Sequence, residues 1–208
     1  MRALILVLAV ALVAIFWGLR ERRKDSSPIE MLSAPAGAST ELARLFPLPD
    51  FSLTDRTGRA VSLADLKGFV WAADFVYTTC PGPCRMLSSG MGEIQKALAT
   101  EPDARFVSIS TDPETDTPPI LQQYATQMGA TDRWYFLTGE KSVVYDLINQ
   151  GFKLSVVENR GASEPVIHST KFLLVDRSGF VRGVYDGLGE DGKVRLVRDF
   201  RRLLAEKP

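Results

Sequence analysis

Residues 69–77 read FVWAADFVY, an apolar, aromatic-rich run that stops at Thr78-Thr79-Cys80-Pro81-Gly82-Pro83-Cys84. A short run of this kind, bounded by Pro and Gly, suits a strand buried in the middle of a sheet. The period then changes. Leu87, Met91, Ile94 and Leu98 stand at i, i+4, i+7 and i+11, one apolar stripe of a helix. A buried strand that passes into a helix through a pair of cysteines restricts the fold more than any other feature of the chain.

The remaining pattern alternates between strand and helix. Residues 51–54 and 60–63 flank a turn at 55–58 and read as a hairpin. Residues 105–110 form a strand, and 111–117 a polar loop. Pro118 and Pro119 open a helix whose stripe is Leu121, Tyr124, Ala125 and Met128. Residues 134–137 give another strand, and Val143, Val144, Leu147 and Ile148 a short helix. Residues 171–175 and 180–185 flank a DRSG turn as a second hairpin, and Leu196, Val197, Phe200, Leu203 and Leu204 mark a C-terminal helix. The expected fold class is α/β: a mixed sheet with helices on both faces, its cysteine pair placed as in thioredoxin-like proteins.

The pair itself suggests chemistry. Cys80 and Cys84 lie just before or within the first turn of the helix, where unsatisfied backbone N–H groups favour a thiolate. Pro81 and Pro83 limit the conformations of the loop, and Pro-Gly-Pro is poor core material. Three residues between the cysteines, one more than in a redox Cys-x-x-Cys, allow a wider bite with both sulfurs facing one ion. His168 is the single His of the chain. A lone His is ordinarily a hydrogen-bonded core or surface residue, but this one precedes a strand whose entry can lie beside the cysteine loop. Two thiolates and an imidazole suit Cu(I) and can hold Cu(II), whereas a structural zinc site wants a fourth ligand. The stretch TDPETDTP at 111–118 reads as a loop and helix start, with Asp116 or Thr117 as the cap. Asp112, just past a strand end, is the candidate neighbour of the site.

Composition excludes several classes. Two cysteines are too few for a disulfide-dense scaffold, and 25 basic against 25 acidic residues leave no global basic field for nucleic acid. The balance conceals two unlike parts. Residues 3–19 carry no charge and are flanked by Arg2 and by Arg20, Arg22, Arg23 and Lys24. No small-residue cleavage motif closes this run directly, so an uncleaved N-terminal membrane anchor over 1–24 is favoured over a cleaved signal peptide. Residues 25–46, rich in Ser, Ala, Pro and Gly, read as a flexible tether, and 47–208 as the folded domain. Without residues 1–24 the chain holds 20 basic and 24 acidic side chains, so the domain is mildly acidic. More Lys and Arg follow the apolar run than precede it, which by charge alone would leave the domain in the cytoplasm.

Five stretches together resemble the Sco/SenC family of membrane-anchored, thioredoxin-like copper proteins: DFSLTDRTGRAVSLADLKG at 50–68, FVYTTCPGPC at 75–84, SISTDPETDTP at 108–118, WYFLTGE at 134–140 and IHSTKFLLVDRSG at 167–179. The resemblance implies that Cys80, Cys84 and His168 are copper ligands and that Asp112 is an acidic residue near them. It implies delivery of copper to the CuA centre of cytochrome c oxidase through the oxidase's copper-bearing subunit, or reduction of the cysteines that receive it. Other copper chaperones and thiol–disulfide reductases are further implied partners. It also implies a domain on the extracytoplasmic (periplasmic) side, against the flanking-charge count. Arg85 departs from the Pro that the family usually carries after the second Cys. Two functions from different classes follow: a copper metallochaperone, and a thiol–disulfide oxidoreductase with Cys80 and Cys84 as its catalytic pair. A thiol peroxidase is the weaker alternative, since no Arg and Thr arrangement surrounds a single peroxidatic Cys.

Overall fold

All seven residues of one strand, Val70–Val76, are buried, and the rest of the fold is arranged around it. The computed structural model describes residues 41–80, 82–154, 156–157, 166–167 and 169–206. The expected anchor lies outside them. Among the described residues no helix is long and apolar enough to cross a membrane.

In chain order the strands are β1 (Phe46–Pro47), β2 (Ser52–Asp55), β3 (Ala60–Ser62), β4 (Val70–Val76), β5 (Ala104–Ser110) and β6 (Trp134–Thr138). After them come β7 (Val156–Val157), β8 (Val166–Ile167), β9 (Lys171–Val175) and β10 (Phe180–Asp186). The helices are α1 (Leu63–Leu66), α2 (Pro83–Ala97), α3 (Pro118–Gln127), α4 (Lys141–Asp146) and α5 (Glu190–Ala205). A π-helical turn, Leu147–Gly151, continues α4.

Eight strands form one sheet in the order β1-β10-β9-β4-β5-β6-β2-β3, and β7 and β8 pair separately. β4, β5 and β6 are parallel, while β9 lies antiparallel against the other side of β4. The sheet is therefore mixed, as the alternating pattern predicts. The pleat sends Trp71, Ala73 and Phe75 to one face, where they meet Leu63, Val144, Leu147 and Phe152. Val70 and Ala72 go to the other face, against Leu87, Met91, Ile94, Leu121 and Phe200. Helices thus cover both faces, with α2, α3 and α5 together on the second.

Local chemistry sets several boundaries. The Asp65 carboxylate accepts from the Ser62 N–H and hydroxyl at 2.8 and 2.5 Å, so the expected strand 60–63 ends at Ser62 and a one-turn helix begins. The DRSG turn closes because the Asp176 carboxylate accepts from the N–H groups of Ser178 and Phe180 at 2.9 and 3.0 Å, with Gly179 at φ +85°. Residues 41–46, which composition groups with the tether, lie along β10: the Leu45 N–H donates to the Val181 carbonyl at 2.9 Å.

Candidate metal and thiol site

β4 and β5 end side by side, Val76 opposite Ser110, and both release loops at the same edge of the sheet. The loop after β4 carries Cys80 and enters α2 at Pro83, whose missing N–H costs nothing in the first helical turn. Cys84 is the second residue of α2 rather than part of the loop. The loop after β5 carries Asp112, and the Thr111 N–H donates to the Val76 carbonyl at 2.9 Å, which joins the two loops at their roots. Cys80, Cys84 and Asp112 therefore share one edge.

Both cysteines are free, Cys80 buried and Cys84 half-buried. Burial alone pushes the Cys80 thiol up, but hydrogen bonds to its sulfur outweigh that effect. They come from the Cys84 thiol, the backbone N–H groups of Gly82 and Cys84, and the Tyr77 hydroxyl, and they leave Cys80 below the ordinary thiol range. Cys84 is pushed up, first by burial and then by its bond to the Cys80 sulfur. The donors around the Cys80 sulfur favour its anionic form, whereas burial and the bond to Cys80 keep Cys84 as the thiol. The two sulfurs are within hydrogen-bond reach, and Cys80 is the one whose surroundings favour a soft anionic donor.

Five polar side chains form two hydrogen-bonded groups on the α2 side of the sheet. Ser108 donates to Asp74 at 2.5 Å, and Trp134 Nε1 donates to Ser108 at 2.9 Å. Ser88 of α2 and Tyr124 of α3 share a hydrogen bond of 2.9 Å. Asp74 and Tyr124 were absorbed into apolar patterns in the sequence. The one signal for Asp74 was a carboxylate inside an otherwise apolar strand.

The cap expected at Asp116 or Thr117 takes another form. Thr117 is the N-cap of α3 by position, but its side chain caps nothing. The Asp116 carboxylate turns inward, accepting from the Thr78 hydroxyl at 2.5 Å, the Thr78 N–H at 3.2 Å and the Ser110 hydroxyl at 2.6 Å. A partner 38 residues away is invisible to a local capping argument.

His168 lies outside the described residues. Among the described residues no three His, Cys, Asp or Glu side chains come together as a metal-binding group. The chain around His168 is partly described. β9 runs antiparallel to β4, so its first residues lie toward the end of β4 that releases the Cys80 loop. The Gly187 N–H donates to the Thr170 carbonyl at 2.8 Å. A Cβ on Gly187 would stand 2.8 Å from that oxygen and 2.1 Å from Leu87 Cδ1. Thr170, two residues after His168, and Leu87, three after Cys84, thus meet at one glycine.

The SCO1/SenC family model matches residues 43–205, nearly the whole described domain and all three sequence candidates for copper ligation. The chain belongs to the SCO1/SenC family. It is 36% identical over 159 residues to the SCO1 protein homolog of Bacillus subtilis, covering 75% of this chain and 82% of that protein. The fold is similar to BsSco, described as a member of the Sco family of cytochrome c oxidase assembly proteins with a disulfide switch; the TM-score is 0.70 at 32% identity, covering 80% of this chain and 98% of that one. A SCO1/SenC family lipoprotein from Bacillus anthracis gives the same TM-score and identity over 76% of this chain and 95% of its own. Bradyrhizobium japonicum ScoI, solved with copper bound, shares the fold at a TM-score of 0.65 and 22% identity, covering 76% of this chain and 99% of that one. Sco structures therefore include copper-bound forms, and at least one relative of this chain is a lipoprotein.

Proposed function

We propose that this SCO1/SenC protein is a copper metallochaperone that binds one copper ion through Cys80, Cys84 and His168 and delivers it to the CuA centre of cytochrome c oxidase. The observation that carries the reading is the pair of free, hydrogen-bonded cysteines at the start of α2, the donors around Cys80 favouring its anionic form. The donor set fits the cargo: two sulfurs and an imidazole match soft Cu(I). The junction of Thr170 and Leu87 at Gly187 supports His168 as the third donor, because it brings the chain that follows His168 against the first turns of α2. The copper-bound ScoI and the assembly role stated for BsSco support the cargo and the destination. Transfer is then ligand exchange with sulfur and imidazole donors of the oxidase subunit.

Anaerobic copper titration of residues 41–208 tests the site. Wild type binds one equivalent, and Cys80→Ser, Cys84→Ser and His168→Ala each lose stoichiometric binding. Full binding by the Cys→Ser variants would sink the assignment.

The opposed shifts of the two thiols favour a second reading, a thiol–disulfide oxidoreductase. The Cys80 thiolate attacks a partner disulfide, forming a mixed disulfide and releasing one partner thiolate. Cys84 gives up its proton and attacks Cys80, so the second partner sulfur leaves and the pair ends oxidised by two electrons. His168→Ala separates the readings: dithiol exchange survives it and copper binding does not.

We further propose the arrangement of the chain: an anchor over 1–24, a tether that ends near residue 40, and the Sco/SenC domain on the extracytoplasmic side, beginning with the 41–46 segment that lies along β10. A compartment-sensitive reporter fused after Pro208 decides the topology; signal confined to the cytoplasm would reverse it.

A further inference from the structure

We propose that Asp116 is a positioning residue for the Cys80–Cys84 pair, an inference that rests on reading this pair as the working site. Asp116 is fully buried, yet its carboxylate touches neither sulfur in the hydrogen bonds that define it. Its partners explain its place. It accepts from the N–H and hydroxyl of Thr78, two residues before Cys80, and from the hydroxyl of Ser110 at the end of β5. Ser110 in turn accepts from the Asp112 N–H at 3.1 Å, and the Asp116 N–H donates to the Asp112 carbonyl at 2.8 Å. One carboxylate thereby joins the loop bearing Cys80 to the loop bearing Asp112.

The connection to the thiols runs through a single peptide plane. The Thr78 N–H and the Tyr77 carbonyl belong to the same rigid amide, so gripping one fixes the direction of the other. That carbonyl accepts the Cys80 N–H at 3.2 Å. Tyr77 also donates its hydroxyl to the Cys80 sulfur and its backbone N–H to the Cys84 sulfur. Residues 77–78 are therefore the frame on which both sulfurs hang, and Asp116 is what holds the frame. A neutral amide at 116 keeps the shape but loses one acceptor oxygen and introduces a donor facing the Thr78 and Ser110 donors. The frame then rotates more freely, and the two sulfurs spend less time within bonding distance.

The test is the equilibrium of the metal-free protein, as residues 41–208, with glutathione. Two thiols, Cys80 and Cys84, are oxidised to one disulfide as oxidised glutathione is reduced to two molecules of glutathione. Asp116→Asn is expected to lower the equilibrium constant for disulfide formation about tenfold, which corresponds to a potential about 30 mV less negative. Thr78→Val removes the hydroxyl donor while keeping the backbone bond and the residue's shape, and about a threefold decrease is expected. The double variant is expected to match Asp116→Asn alone, because both changes act on one interaction. Asp199→Asn supplies the control for general destabilisation: Asp199 is a buried carboxylate bonded to Tyr185, Arg198 and Arg202, none of which contacts the pair. It is expected to lower the melting temperature and leave the constant unchanged.

Constants within twofold of wild type in folded Asp116→Asn and Thr78→Val would overturn the proposal, as would an equal shift in Asp199→Asn. If Asp116→Asn does not fold, Thr78→Val decides alone, and a constant equal to that of wild type overturns the proposal. No metal is present in this measurement, so failure of wild type to bind copper would defeat the chaperone reading and leave this result standing.

Discussion

Asp74 shows how a single residue makes the domain sensitive to pH. It is fully buried in β4; one carboxylate oxygen accepts from Ser108, and the other has no hydrogen-bond partner among the described residues. Burial pushes its pKa up to about 7, and the bond from Ser108 opposes this only in part. The unfolded chain titrates near 3.8, so the folded state holds the proton more tightly. Its contribution to stability is therefore complete below about pH 4 and is lost as pH rises through 7. A shift of this size corresponds to roughly 4 kcal/mol. Urea midpoints measured from pH 4 to 8 are expected to fall across that window in wild type. In Asp74→Asn the fall is expected to flatten; an unchanged slope would show that Asp74 is not the group responsible. Sequence reasoning placed this residue inside a buried strand, but its missing partner depends on what packs above it.

Among the elements, α2 and α5 were legible because their stripes repeat over several turns. The β7–β8 pair and the π-helical turn were not, because two-residue strands and a single wide turn carry no period to read. The contact of α5 with β10 reverses an ordinary helix rule. Gly192 occupies the first turn of α5, where Ala is normally favoured by about 1 kcal/mol. Here a Cβ would stand 1.9 Å from the Asp186 carbonyl oxygen, a backbone atom that cannot swing away. Overpacking of this kind costs about 1–3 kcal/mol, so strain exceeds propensity. Gly192→Ala is expected to lower the melting temperature by several degrees, and a rise would show that the helix start relaxes freely. The start of α3 teaches a related lesson. Composition allowed Asp116 as a cap, but its oxygens serve the half-buried Thr78 and the buried Ser110, which the fold brings beside it.

Across the whole molecule, Arg182 of β10 joins parts of the chain that no local pattern connects. Its side chain is 1% exposed, and it pairs with Asp176 at 2.9 Å and with Glu206, just past α5, at 3.1 Å. It also donates through Nε to the Leu42 carbonyl at 2.9 Å. One guanidinium thus binds the entry to the domain, a hairpin turn and the end of the last helix. Arg182→Met leaves Asp176 buried beside its lost partner, and breaking such a network costs about 3–5 kcal/mol. A drop in melting temperature of roughly 6–20 °C is expected. Earlier proteolysis within residues 41–46 should accompany it, since Leu42 loses its donor. A variant as stable as wild type would show that packing of β1 on β10 alone holds that segment.

The sequence by itself determined the alternation of strands and helices, the burial of β4, the start of α2 at the cysteine pair and the family to which the chain belongs. Each of these is written in neighbours a few residues apart, through periodicity, Pro and Gly punctuation and motif spacing. Only the tertiary structure decided the order β1-β10-β9-β4-β5-β6-β2-β3, the opposed pKa shifts of two cysteines four residues apart, and the grip of Asp116 on Thr78. The physical reason is the same for all three. They depend on which donors, acceptors and apolar surfaces are shut away from water together, and the bond from Arg182 to the Leu42 carbonyl closes a separation of 140 residues.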